Sequence, residues 1–324
     1  MAAYTTIDDP SGIFTVNLYS GNATNGTTIS TGHTNDLIWT KGRAGTYGGR
    51  GLRIIDSVRG ATKVLYGDQD LAEGTNNSSS GVTGFASTSY TIGGDADFNG
   101  SGTTYVSWTW KIQAGVCDIQ TYTGNGSART ISHNLGVVPK MMIIKKRNTA
   151  APWSVGHASL GANQVLELNE TDAVATDATY WNNTRPTSSV FTVGTDGNQN
   201  TDGHTYLIYL FGNKQGVSKM GSYTGNANAD GEFIYTGFKP RWIMIKGTNI
   251  ARNWGINDTK RSPINQTQDS LYANVADAET ASGNYIDFLS NGFKLRDTAL
   301  TMNGAYNYIY MAFAENPFVT STGV

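Results

Sequence analysis

One short pattern sets the terms for this chain: Tyr19-Ser20-Gly21-Asn22 recurs as Tyr122-Thr123-Gly124-Asn125 and again as Tyr223-Thr224-Gly225-Asn226. Recurrence at a spacing of roughly a hundred residues marks copies of one structural unit, so any fold proposed must be a repeat of that unit. Three more landmarks keep the same register. An apolar run ending in lysine appears as Leu37 to Lys41, Met141 to Lys145 and Trp242 to Lys246. Tyr90-Thr91-Ile92 answers to Phe191-Thr192-Val193 and Phe293-Lys294-Leu295, and the closing runs are Tyr105 to Trp110, Tyr206 to Phe211 and Tyr308 to Phe313. These landmarks delimit repeats at 16–114, 119–214 and 220–318. Residues 1–15 precede them as an N-terminal segment expected to anchor the chain on a partner, since terminal segments order on partners more readily than cores do.

The runs are short, rich in Ile, Val, Tyr, Trp and Thr, and bounded by Gly, Asn and Asp, which is the signature of strands. Ser107-Trp108-Thr109-Trp110 alternates polar with aromatic, predicting a half-buried antiparallel strand; Met141 to Ile144 is continuously apolar, predicting burial on both faces. Residues 268–278 hold the best helical candidate, itself interrupted by Asp and Asn. The fold class expected is all-β, as three tandem jelly-roll-like β-sandwiches.

Charged residues are 15% of the 324 and the formal charge is -2, so no cationic excess supports nucleic-acid binding. Cys117 is the lone cysteine, which excludes an intrachain disulfide. No apolar stretch approaches the ~20 residues of a membrane span, and Met1 to Asp9 lacks the basic and apolar regions of an export signal. A soluble protein without membrane insertion is expected.

Catalytic chemistry finds little to stand on. The carboxylate pairs Glu167 with Glu170 and Asp95 with Asp97 could be nominated for glycoside cleavage, yet they read as solvated surface. Asp95-Ala96-Asp97-Phe98-Asn99-Gly100, and Asp196 to Gly203 in the second repeat, resemble half a calcium loop; Asp, Asn and Gly are equally the residues of a tight turn, which is the reading adopted. His33, His133, His157 and His204 show no ligand spacing and are expected at surface or turn positions. No catalytic residue, metal site or cofactor is assigned. Aromatics offer the one binding prospect, because sugar rings stack on Trp and Tyr faces. Trp153 and Trp254 are equivalent in the repeat and read as core; Trp181, with Arg185 close behind, is the candidate surface binding site.

Three stretches together resemble a known family: Asp36-Leu37-Ile38-Trp39-Thr40-Lys41, Ile54 to Ala61, and Asn99 to Lys111, with Tyr308 to Phe318 later. They look like the repeated β-domain of tail-fibre and other tail-associated virion proteins of marine and cyanobacterial phages. The resemblance implies a non-enzymatic structural protein of the virion, in the tail, contributing to host attachment. Its partners would be other virion proteins and a host-surface glycan or protein, with a homo-oligomer, such as a trimer, expected. The rival reading is a capsid decoration or head-fibre protein that binds no receptor; a polysaccharide depolymerase stands third.

Overall fold

The computed structural model describes residues 9–76, 79–281, 283 and 285–317, and nearly all of their regular structure is β. Repeat 1 contains β1 (Phe14–Ser20), β2 (Thr27–Ser30), β3 (Leu37–Gly45), β4 (Arg53–Asp56), β5 (Lys63–Tyr66), β6 (Gly74–Thr75), β7 (Val82–Phe85), β8 (Ser89–Ile92) and β9 (Thr103–Trp110). Its large sheet runs β1-β9-β3-β4-β5-β6 and its small sheet β2-β8-β7. Repeat 2 contains β10 (Cys117–Thr123), β11 (Arg129–Ser132), β12 (Met141–Lys146), β13 (Ser154–His157), β14 (Gln164–Glu167), β15 (Ala175–Thr176), β16 (Val190–Val193) and β17 (Thr205–Phe211), ordered β10-β17-β12-β13-β14-β15 and β11-β16. Repeat 3 contains β18 (Ser218–Thr224), β19 (Phe233–Tyr235), β20 (Phe238–Gly247), β21 (Gly255–Asp258), β22 (Leu271–Tyr272), β23 (Ile286–Leu289), β24 (Gly292–Leu295) and β25 (Asn307–Pro317), ordered β18-β25-β20-β21-β22 and β19-β24-β23.

In every repeat the first strand pairs with the last and the second with the last but one, and every pairing is antiparallel. That outside-in wrapping makes each repeat a two-sheet sandwich, with one sheet much larger than the other. Corresponding pairs fall in one register: Phe14 opposite Trp110, Cys117 opposite Phe211 and Ser218 opposite Phe313. The repeats thus begin at Phe14, Cys117 and Ser218. Residues 1–8 and Phe318 lie outside the described residues. Residues 9–15 are part of the first repeat: Pro10–Gly12 form a single turn of 3-10 helix packed on β25, and Phe14 is 1% exposed. The 268–278 segment carries no helix; it holds the short strand β22.

The recurring Tyr-Gly-Asn pattern has a local explanation. Its tyrosine stacks on the tyrosine opposite, at 5.2, 5.0 and 5.1 Å between centroids for Tyr19–Tyr105, Tyr122–Tyr206 and Tyr223–Tyr308. At the glycine, a Cβ on Gly21, Gly124 or Gly225 would stand 2.1–2.2 Å from a backbone oxygen of the facing loop. The asparagine N–H donates to a buried amide: Asn22 to Asn99 Oδ1 at 3.0 Å, Asn125 to Asn200 Oδ1 at 3.0 Å and Asn226 to Asn303 Oδ1 at 3.2 Å.

Each small sheet covers one face of its own large sheet, forming a separate outer core for each repeat. The opposite faces of the three large sheets meet in a single shared core. Trp110, Phe211 and Phe313, equivalent closing-strand residues, form a triangle with centroids 6.2, 5.6 and 6.1 Å apart. The repeats therefore surround one pseudo-threefold axis. This explains the continuously apolar β12: Met141 and Ile143 face the shared core, Met142 and Ile144 the outer one. On β9 the polar side is also covered, with Ser107 and Thr109 fully buried, so the half-buried expectation does not hold there.

The seams repeat as well. Lys145 Nζ donates to Asp70 O, Lys246 Nζ to Thr171 O and Lys41 Nζ to Val275 O, at 3.0, 2.7 and 2.7 Å, closing the ring from repeat 3 back to repeat 1. Burial lowers all three ammonium pKa values to about 8. Trp153 and Trp254 are buried, as expected, and their indoles cross seams, Nε1 donating to Tyr66 O at 2.8 Å and to Glu167 O at 2.9 Å.

Candidate functional site

Repeat 2 departs from its neighbours where the third strand of the small sheet belongs. In place of β7 or β23 it has one helical turn, α1 (Ala178–Trp181), capped by Asp177, whose side chain accepts from Thr179 N at 2.8 Å. Asn182 and Asn183 then both take left-handed backbone conformations, at φ 51° and 49°, and turn the chain away into a loop.

Trp181 points inward from this turn. Only 3% of it is exposed, so it is not the surface aromatic expected. Its Nε1 donates to Gln164 O at 3.0 Å. The ring lies over Gly156, where a Cβ would stand 3.0 Å from Trp181 Cζ2. Ile55 and Asn257 occupy this sheet position in the other repeats, opposite Ile38 and Ile243 as Gly156 is opposite Met142. Gly156 is therefore the sequence signal that repeat 2 receives a large group from outside its sheet.

Beside the tryptophan lies a cavity of about 210 Å³, floored by Met142, Gly156 and Trp181, walled by Pro139 and Pro186, and reached by Lys140 and Arg185. Trp181 and Arg185 thus line one site. Arg185 is exposed yet anchored, its Nη1 donating to His157 O at 3.4 Å and its Nη2 to Leu160 O. Among the described residues neither Lys140 nor Arg185 forms a carboxylate ion pair. Lys140 was not singled out by sequence. Its counterpart Arg241 is matched by Glu315 at 3.4 Å, while Asn213 holds the Glu315 position in repeat 2.

The charges register on His157. Burial lowers its pKa to about 4; the nearby Tyr310 backbone opposes this, and the positive charges of Arg185 and Lys140 add to the lowering. Among the described residues no carboxylate lines the cavity. Across the 158–164 turn, a more polar groove of about 590 Å³ runs between repeats 2 and 3, lined by Gln164, Ser222, Thr224, Thr248, Asn249 and Asn307 among others.

The other nominated groups have structural tasks. Asp97 pairs with Arg53 at 3.0 Å and Arg50 at 3.5 Å. Asp95 accepts from the backbone N–H groups of Asp97 and Gly81, and Asp196 from Asn198 N at 2.7 Å, which are turn and cap bonds. Glu167 sits above the usual carboxylate range through burial and then the nearby charge of Glu170. Three of the histidines are buried and not at the surface: His33, His133 and His157 are 5%, 6% and 4% exposed and hydrogen-bond to the backbone, His33 from a bend, as a turn position requires, and His157 from within β13. Among the described residues no group of three or more His, Cys, Asp and Glu is placed to hold a metal ion. Nor is any helix among them long and apolar enough to cross a membrane.

The fold and site thus define a repeated all-β sandwich with one cavity, reached by two cations, in its second repeat. Residues 9–317 match the family described as Domain of unknown function (DUF7483), and the chain belongs to that family. The match takes in all three repeats as one unit, in keeping with their shared core. No curated protein matches the chain significantly.

Proposed function

We propose that this chain is a non-enzymatic structural protein of a phage virion, carried on the tail, that contributes to attachment by binding host-surface glycan through its loops. The observation that carries this reading is the combination of a closed aromatic core with a departure confined to one repeat. An outer core and a lysine bridge across the seam recur in all three repeats; the cavity formed by Trp181, Arg185 and Lys140 does not. A scaffold that repeats while one loop region diverges is the arrangement expected where rigid packing presents a binding surface. The sequence resemblance supplies the virion context and the other virion proteins as partners. A lining without carboxylates favours holding a ligand over cleaving it. The three repeats also place within one chain the threefold arrangement that fibre tips otherwise obtain from three chains, so a homo-trimer is not needed to create it.

Single shallow sites gain strength by number, since tethering raises avidity by ~10²- to 10⁴-fold without new contacts. The protein, presented multivalently on beads, is expected to be retained by host cells and not by non-host cells, and to release no reducing sugar from host capsule. Equal retention on both cell types would favour the capsid decoration reading, and sugar release would favour the depolymerase. Immunogold labelling of intact virions locates the chain on tail or head.

A further inference from the structure

We propose that the repeat 2 cavity binds the carboxylated ring of an acidic sugar, with Lys140 and Arg185 holding the carboxylate and the apolar walls taking the C–H face of the ring. This deepens the attachment reading and rests on it for the ligand being a sugar; the requirement for one ring and one negative charge comes from the cavity alone.

Size limits the occupant first. At about 210 Å³ the cavity falls below the ~300 Å³ at which drug-sized sites begin, so it suits a single ring and not a chain. Charge limits it next. Two cations reach the cavity, no carboxylate lines it, and the seat that neutralises the equivalent cation in repeat 3 is occupied by Asn213. Arg185 spends two N–H groups on the carbonyls of His157 and Leu160, which fixes its guanidinium in place; a guanidinium has five, so donors remain for a carboxylate. Shape limits it last. Met142, Pro139, Pro186 and Trp181 give apolar contact beside the two cations, suiting a ring with one apolar flank and one charged end. The remainder of a glycan would extend from this ring into solvent or toward the groove past Gln164, which lines both cavities.

The test is titration of the full chain with glucuronate, glucose and inorganic phosphate, followed by the Trp181 indole N–H resonance, assigned with Trp181→Phe. Glucuronate is expected to shift that resonance with a dissociation constant on the order of 1 mM, weakening as salt is added. Lys140→Gln and Arg185→Gln are each expected to weaken glucuronate binding severalfold, and the double variant tenfold or more. Because Arg185 also anchors its loop, Lys140→Gln provides the variant that leaves those carbonyl bonds in place. The proposal is overturned if glucose binds as well as glucuronate, if inorganic phosphate alone binds as tightly, if glucuronate causes no saturable shift, or if Lys140→Gln changes nothing. Multivalent cell retention separates this from the broader reading. Host retention that survives the double variant defeats the cavity and leaves attachment standing; saturable glucuronate binding without host retention does the reverse.

Discussion

Phe211 meets both of its counterparts on the pseudo-threefold axis, and it also stands opposite Cys117 and Met141 on the neighbouring strands. Truncation there removes aromatic contacts to two other repeats at once. Phe211→Ala is therefore expected to lose ~3–5 kcal/mol in urea unfolding, and a loss below about 1 kcal/mol would show that the axis is not a packed core. His157 offers a residue-scale test in pH. Its pKa is about 4 in the fold against 6.5 for an ordinary histidine, so between these values the unfolded chain takes up a proton that the folded chain refuses. Stability from this group is present above pH 6.5 and declines as pH falls toward 4, by ~3 kcal/mol at most. Glu73 and Glu279 also lose stabilisation in acid, because Arg147 with Arg59, and Arg43 with Arg261, hold them below the usual carboxylate range against their burial. The informative quantity is thus the difference between wild type and His157→Gln, expected to shift in favour of the variant from pH 7 to pH 4; a constant difference would remove His157 from the account.

At the scale of the strands and their seams, two of the three junctions carry the same ionic chain. Asp56, Arg59, Glu73 and Arg147 link repeats 1 and 2, with contacts of 2.6, 3.3 and 2.8 Å, and Asp258, Arg261, Glu279 and Arg43 link repeats 3 and 1, with contacts of 2.6, 2.9 and 2.6 Å. His157, Leu160, Val174 and Thr248 hold the corresponding places between repeats 2 and 3, beside the polar groove. Burying a charge pair gains little over apolar packing, while stranding one member costs ~3–5 kcal/mol. Asp56→Ala is accordingly expected to destabilise by that amount, because the side chain of Arg59 is fully buried. The combined change Asp56→His, Arg59→Leu, Glu73→Val and Arg147→Thr, which copies the neutral seam, is expected to cost less than Asp56→Ala alone; a cost equal to the sum of the single changes would mean the residues act independently. The strands themselves were legible in the sequence because period and turn residues are local signals, as at Met141–Ile144. The seams were not, since Asp56 and Tyr209, joined at 2.8 Å, are remote in the chain. Within the candidate site, Arg185 and Trp181 could be named from composition and position. Lys140 could not, because its importance lies in a missing counter-charge at Asn213, and the inward turn of Trp181 is announced only by Gly156.

For the whole molecule, the decisive feature is that the inner faces of all three large sheets are packed in one shared core, while only the outer faces are covered within each repeat. Trp39, Trp108 and Trp110 from repeat 1, Tyr209 and Phe211 from repeat 2, and Trp242 and Phe313 from repeat 3 belong to one apolar cluster. In a string of independent sandwiches, deleting the last unit would leave the others intact. Here the deletion uncovers the inner faces of both remaining large sheets and removes the acceptors of the Lys41 ammonium at Val275 and of the Trp108 indole at Asp258. Apolar burial stabilises by about 25 cal/mol per Å², so exposing several such aromatics at once exceeds the ~5–15 kcal/mol by which a domain is stable. A chain ending at residue 216 is expected to aggregate or remain unfolded, and the same outcome is expected for 116–216 alone. Full-length protein should melt in one calorimetric transition, with van't Hoff and calorimetric enthalpies equal. A circular permutant supplies the control. The turn at Pro10–Gly12 packs on β25, so a flexible linker from residue 317 to residue 9, with new ends between Ala114 and Gly115, preserves all three seams. The permutant is expected to fold while the truncations do not; a folded 1–216 fragment would instead show that the repeats are separable units whose shared core is dispensable.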